Sequence, residues 1–380
     1  MRSENKAPKL RLDSLTVGYN GVPLISDISL SLHKGEIITL IGPNGSGKST
    51  ILKSITRHLA AVSGAVYLDE KNMRLISGKE TAQKLAVVLT DRVRPELTSC
   101  FEFVSAGRYP YTGNFGILTA HDKEVVKNAL EKVNALDIAD KYISQISDGQ
   151  RQRVLLARAI CQEPEVIVLD EPTSFLDIRH KIELLDILSN MAKNGGISVV
   201  MSLHEIDLAE RVSDKIVCVK GETIAAYGTP EEIFTDGTIK DLYEINSGSF
   251  GALLGNIELK APRGAIKCFV IGGAGCGIPF YRALRKRGIP FAAGILPGND
   301  VDLAVALPLA QTMVKTAPYE AATDDDITEA KRLIDTVNIV IDCGCSSAKY
   351  NSFNAELLKY AEDQGKTIVR SLAGLAEVGL

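Results

Sequence analysis

Eight consecutive residues, Gly42-Pro43-Asn44-Gly45-Ser46-Gly47-Lys48-Ser49, have the types and spacing of a loop that cradles phosphate. Glycines allow a tight turn whose backbone N–H groups point inward at phosphate oxygens. The Lys48 ammonium can reach the β- and γ-phosphates of a nucleotide, and the Ser49 hydroxyl can ligate Mg²⁺. A second group is the acid pair Asp170-Glu171, which ends the apolar run Val166-Ile167-Val168-Leu169. An acid at the exit of a buried strand suits a Mg²⁺ contact, and its neighbour suits a general base acting on water. The full spacing and its strand–helix setting argue against a chance glycine turn. A core strand with acidic exit residues would account for the acid pair alone, but for the loop upstream. Together they predict hydrolysis of a nucleoside triphosphate.

Such a loop needs a strand before it and a helix after it. The apolar stretch 36–41 supplies the strand, and the segment from Thr50 to Ile55 the helix, whose N-terminus adds partial positive charge beside the phosphates. Strand-like and helix-like stretches alternate along all 380 residues, so the class is α/β. The stretch Lys260-Ala261-Pro262-Arg263-Gly264 marks a boundary, dividing a nucleotide-binding region, 1–260, from a second α/β region, 261–380. In the latter, strands are expected at 266–271, 291–295, 312–316, 339–342 and 367–369, with helices at 324–336 and 352–364. The net charge of -4 argues against a dominant basic surface for nucleic acid. No apolar run approaches the length that crosses a bilayer, and the first residues lack a signal-type stretch, so any membrane link is expected through partner proteins. Seven scattered cysteines suit reduced thiols in a cytosol.

The segment Ile146-Ser147-Asp148-Gly149-Gln150-Arg151-Gln152-Arg153 resembles the signature sequence of ABC-type ATPases, usually Leu-Ser-Gly-Gly-Gln; Ile146 and Asp148 depart from it. Roughly the first 250 residues follow that family's motif order. The resemblance implies an ABC-type P-loop ATPase domain, with a mixed sheet core and a helical subdomain, that binds ATP and Mg²⁺. It implies that Tyr19 stacks on adenine, that Gly42 to Thr50 hold the phosphates, and that Ser49 and Asp170 hold the metal. Glu171 would polarise water and His204 orient it. Ser147, Gly149 and Gln150 would close over the nucleotide of a second copy, in a head-to-tail homodimer. The loop Ser174-Phe175-Leu176-Asp177 would contact that copy. One position departs: where the family has a glutamine touching Mg²⁺, this chain has Thr90, followed by Asp91 and Arg92. Thr90 or Asp91 is expected to take over part of that contact.

Gly107-Arg108-Tyr109-Pro110-Tyr111 is similar to a segment in the ATPases of iron–siderophore, haem and cobalamin importers. That implies permease subunits, an extracytoplasmic binding protein acting indirectly, and a place on the cytoplasmic face of the cell membrane. The alternatives are an importer of another cargo or a soluble ABC ATPase acting on ribosomes or DNA; the single cassette and the lack of a heptad tract weigh against the latter.

In the second region Gly272-Gly273-Ala274-Gly275-Cys276-Gly277 follows a strand and precedes a helix, as in a dinucleotide-binding unit. Ile278 stands at the third glycine position, however, and Asp300 lies in a loop. A Rossmann-like domain using its glycines for a tight turn is the favoured reading, with a ligand-sensing regulatory module as the alternative. Cys276, Cys343 and Cys345 are expected on one sheet edge, either at a metal or as idle thiols.

Overall fold

The computed structural model describes residues 7–89, 97–113, 116–245, 248–251, 256–345 and 352–380. The chain divides into two compact units, Met1–Phe234 and Thr235–Leu380.

Strands of the first unit are β1 (Leu10–Tyr19), β2 (Val22–Leu32), β3 (Ile37–Ile41), β4 (Ser63–Leu68), β5 (Lys71–Asn72), β6 (Leu85–Val88), β7 (Val166–Leu169), β8 (Ser198–Ser202), β9 (Lys215–Lys220) and β10 (Thr223–Gly228). They form an antiparallel sheet of order β2-β1-β4-β5 and a second sheet of order β10-β9-β3-β8-β7-β6, parallel except at the edge strand β10. The central strands β3, β7 and β8 are buried throughout, as strands covered on both faces must be, and their apolar runs reflect it. Helices are α1 (Lys48–Ile55), α2 (Gly78–Lys84), α3 (Cys100–Ser105), α4 (Ala120–Lys132), α5 (Asp148–Cys161), α6 (Ile178–Lys193), α7 (Ile206–Val212) and α8 (Pro230–Ile233). α1 turns Ile51, Leu52 and Ile55 into a core shared by both sheets, with Leu12, Ile28, Leu40 and Val200. That packing holds the N-terminal end of α1 against the carboxyl end of β3.

α3, α4 and α5 pack together as a helical layer. Its polar centre is Arg108, which is 2% exposed. The guanidinium donates to Asp122 at 2.9 Å, to Glu163 at 2.7 Å and to the Cys161 carbonyl at 2.9 Å, and lies 4.0 Å from the centre of the Tyr111 ring. Gly107 is required beside it, because a Cβ there would lie 2.4 Å from the Arg158 carbonyl oxygen on α5. Arg108 and Gly107 thus bind the helical layer together, while Tyr109 stays exposed.

The second unit starts well before the boundary expected at residue 260. α9 (Asp236–Tyr243) and the hairpin of β11 (Gly248–Gly251) and β12 (Asn256–Leu259) precede the Pro/Gly stretch, yet the hairpin packs on a helix beyond it. Glu258, largely buried, accepts from Arg282 Nε at 3.0 Å across the same stretch. A Pro/Gly segment marks a break in regular structure, which need not coincide with a break in contacts. The sheet that follows comprises β13 (Cys268–Ile271), β14 (Phe291–Leu296), β15 (Thr312–Lys315), β16 (Ile339–Asp342) and β17 (Thr367–Val369), all parallel in the order β15-β14-β13-β16-β17. α10 (Ile278–Lys286) and α11 (Val301–Leu309) cover one face, where Tyr281, Leu284 and Leu309 pack on Cys268 and Val270. α12 (Asp324–Asp335) and α13 (Ser352–Asp363) cover the other with Ile334 and Leu357, and α14 (Gly374–Glu377) closes the chain. Each strand expected in this region is present, with ends shifted by two residues at most.

The helical layer yields a pH prediction. Hydrogen bonds from Thr119, then the charge of Arg108, lower the Asp122 carboxyl from 3.8 to about 2. A group whose folded pKa is depressed stabilises above its unfolded value and loses that contribution as pH falls through the folded one. The thermal midpoint should therefore drop more steeply between about pH 4 and pH 2 in the parent chain than in Asp122→Asn. Parallel slopes in circular-dichroism melts would contradict this.

Candidate active site

β3 runs into the glycine loop, and the loop into α1. Gly42 has φ 149, and a Cβ there would stand 2.2 Å from the Val219 carbonyl oxygen, so the loop starts where only glycine fits. Gly47 caps α1 at φ 95. Lys48 is 5% exposed, and its ammonium donates to the carbonyls of Gly42 at 2.8 Å and Pro43 at 2.9 Å. Burial lowers its pKa, and the charges of Glu171 and Asp170 partly offset that.

The acid pair leaves β7 beside the next parallel strand. Leu169 pairs with Met201, which sets Asp170 next to Ser202 of β8. The Ser202 hydroxyl donates to Asp170 Oδ1 at 2.8 Å and accepts from the Glu171 N–H at 2.9 Å. Ser49 of the loop donates to the same Asp170 oxygen at 3.0 Å. Glu171 has φ 48, a left-handed conformation rare for a non-glycine residue. Its Oε1 lies 2.6 Å from His204 Nε2, and its Oε2 accepts from the Ser174 hydroxyl at 3.0 Å. Tyr19, half exposed at the end of β1, places its hydroxyl 3.2 Å from that of Thr50. Tyr19, Asn44, Gly45, Gly47, Lys48, Ser49, Thr50, Glu171 and His204 line one cleft, of about 430 Å³, together with Leu24.

The arrangement fits a triphosphate with a small hard cation. Ser49 and Asp170 offer two oxygens side by side, and no group of three metal-binding side chains occurs among the described residues. Mg²⁺ characteristically takes few protein ligands and completes its shell with water and phosphate oxygens.

The signature residues stand elsewhere. Ser147 caps α5, accepting from the Gln150 N–H at 3.2 Å while Gln150 Oε1 accepts from the Ser147 N–H at 3.0 Å. Gly149 packs on His180, whose ring a Cβ would meet at 2.9 Å. None of Ser147, Gly149 and Gln150 is among the residues lining the cleft. Thr90, with Asp91 and Arg92, lies outside the described residues. Ser202 and the side-chain role of Ser174 were not foreseen; Ser202 becomes visible only once β7 and β8 are paired in register.

The cysteines of the second unit do not form a metal site among the described residues. Burial pushes the Cys345 thiol up to about 12 and the Cys343 thiol higher still, away from the thiolate a metal requires. Cys276 is exposed.

A family model described as ABC transporter matches residues 25–174, and one described as the MJ0874 family matches 291–374. An uncharacterized ABC transporter ATP-binding protein of Methanocaldococcus jannaschii is 41% identical over 288 residues, 76% of this chain and 99% of that protein. The iron(3+)-hydroxamate import ATP-binding protein FhuC of Bacillus subtilis is 37% identical over 238 residues, 63% of this chain and 88% of that one. Among solved structures, cbiO1 of Clostridium perfringens, part of the ABC transporter complex cbiONQ, aligns with a TM-score of 0.54 at 27% identity, covering 62% of this chain and 94% of that one.

Ser202 joins both acids and is absent from the cleft lining, so its removal should disturb positioning more than binding. Ser202→Ala is expected to lower kcat for ATP hydrolysis by about tenfold, with KM changed much less. Unchanged kcat in a steady-state phosphate-release assay would show that the acids hold their places without it.

Proposed function

The chain belongs to the ABC transporter family of ATP-binding subunits, and on that premise we propose that it drives an importer of the iron–siderophore, haem or cobalamin type. As a member it binds and hydrolyses ATP. The cargo class rests on resemblance to import ATPases such as the iron(3+)-hydroxamate and siderophore proteins of Bacillus subtilis, and on the Gly107–Tyr111 segment. A surface groove lined by Lys79, Ala82, Tyr109, Pro110 and Gly113 supports a permease contact there. Such a contact would place the subunit at the cytoplasmic face of the membrane. A binding protein outside the membrane would act only through the permease.

One observation carries the catalytic reading: Glu171 Oε1 and His204 Nε2 meet at 2.6 Å beside Lys48 and the phosphate loop. Glu171 takes the proton of the attacking water as the water oxygen bonds to the γ-phosphorus and the bond from that phosphorus to the bridging oxygen of the diphosphate breaks. His204 fixes the carboxylate that receives the proton, and Ser174 holds the other oxygen of that carboxylate. Lys48 and the loop amides carry the charge that moves onto the leaving diphosphate. Mg²⁺, held by Ser49 and Asp170, would supply further neutralisation of phosphate charge. Half of the γ-phosphate cage is then missing from one copy, because Ser147, Gly149 and Gln150 lie outside its cleft. A second copy, placed head to tail, supplies them.

Glu171→Gln should keep binding while losing hydrolysis by about 100-fold or more, because the amide cannot accept the proton. Purified with ATP, it is expected to run as a dimer by light scattering and to bring down a multispanning membrane protein. Hydrolysis at the parent rate would end the base assignment; recovery with ribosomes or DNA would end the importer reading.

A further inference from the structure

The glycine turn of the second unit lies at the position where sheets of this kind bind ligands. In the order β15-β14-β13-β16-β17, chain direction across the sheet reverses between β13 and β16, and the turn follows β13. In a dinucleotide-binding unit the N–H groups of such a turn and the helix after it receive a pyrophosphate.

Here those donors already hold acidic side chains of the chain's own. Asp302, in the first turn of α11, is 0% exposed. Its Oδ2 accepts from the Gly273 N–H at 2.6 Å and from the Gly277 N–H at 2.8 Å. Asp300, two residues earlier, accepts from the Ala274 N–H at 2.9 Å with one oxygen and at 3.0 Å with the other. Three N–H groups of the turn therefore point at carboxylates.

The glycines are also used internally. A Cβ on Gly277 would lie 2.4 Å from the Tyr281 hydroxyl and 2.7 Å from Asp302 Oδ2, and one on Gly272 would lie 2.2 Å from the same hydroxyl. The close approach that glycine permits brings in Asp302 and Tyr281 instead of a phosphate. Asp302 itself is held by the helix cap, since Asp300 Oδ1 accepts from its N–H at 2.9 Å.

We propose that Asp302 is a built-in substitute for phosphate, which fills the amide cradle of the turn and closes this unit to the pyrophosphate of a dinucleotide. A pyrophosphate entering the cradle would displace a buried carboxylate and meet the charge of Asp300 at contact distance, where like charges repel strongly. A separate cavity lies at the carboxyl edge of the same sheet, where Glu356 is paired with Lys331 at 2.6 Å. It is lined by Pro297, Tyr319 and Phe353 with the acids Glu320 and Glu356, and by no basic residue among those described.

The test uses the full chain with saturating Mg-ADP, which keeps the first unit's phosphate loop filled. NADH titrated at millimolar concentrations, followed by its fluorescence anisotropy, should give no saturable binding to the parent chain; saturable binding would overturn the proposal. Asp302→Ala empties the cradle, so inorganic pyrophosphate should raise its thermal midpoint by about 2 °C or more beyond any shift in the parent. A folded variant with no extra shift would show that the carboxylate does not stand where phosphate would bind. Should the variant fail to fold, the NADH titration of the parent chain decides alone.

Discussion

The nucleotide cleft depends on one carboxylate being held from two sides. Asp170 Oδ1 receives the hydroxyl of Ser49 from the phosphate loop and that of Ser202 from the neighbouring strand. The first bond fixes the acid to the loop, and the second fixes it to the sheet. Ser202 also accepts from the Glu171 N–H, so the same hydroxyl positions both acids. These contacts require β3, β7 and β8 to end side by side, which only the buried parallel sheet provides. Glu171 then sits in a left-handed conformation that its neighbours must hold, a cost met often at sites whose geometry matters more than local comfort.

The glycine-rich turns after β3 and after β13 have opposite fates. After β3, the Lys48 ammonium bonds carbonyls of its own loop, and nothing acidic caps the loop's amides among the hydrogen bonds described. After β13, Asp300 and Asp302 take those amides. A glycine-rich sequence specifies that the backbone can approach something closely. What it approaches is decided by a side chain far along the chain, here an aspartate 25 residues after Gly277.

That contrast explains what sequence reasoning reached. Local chemistry was legible for the loop, the acid pair and the parallel sheet of the second unit, which depend on adjacent residues or short apolar runs, whereas His204 was expected only from the family resemblance. Ser202 was not, because its role depends on strand register. Arg108 belongs to the segment that resembles importer ATPases, yet its side chain is buried among Asp122, Glu163 and Cys161, which come from distant positions. The division by contacts comes before the Pro/Gly stretch because a hairpin preceding that stretch packs on a helix after it. Thr90 falls outside the described residues, so its departure from the family pattern stands as a sequence observation.

If each ATP site is built by two copies of the chain, as proposed above, then mixing two inactive variants restores activity. Lys48→Ala removes the loop's charge, and Ser147→Arg blocks the signature segment; each chain alone should be inactive. In a head-to-tail pair containing one of each, one site carries both changes and the other carries neither. The mixture should therefore regain ATP hydrolysis, up to about a quarter of the parent rate if pairs form at random and sites act independently. A mixture as inactive as its components would count against a site shared between two copies.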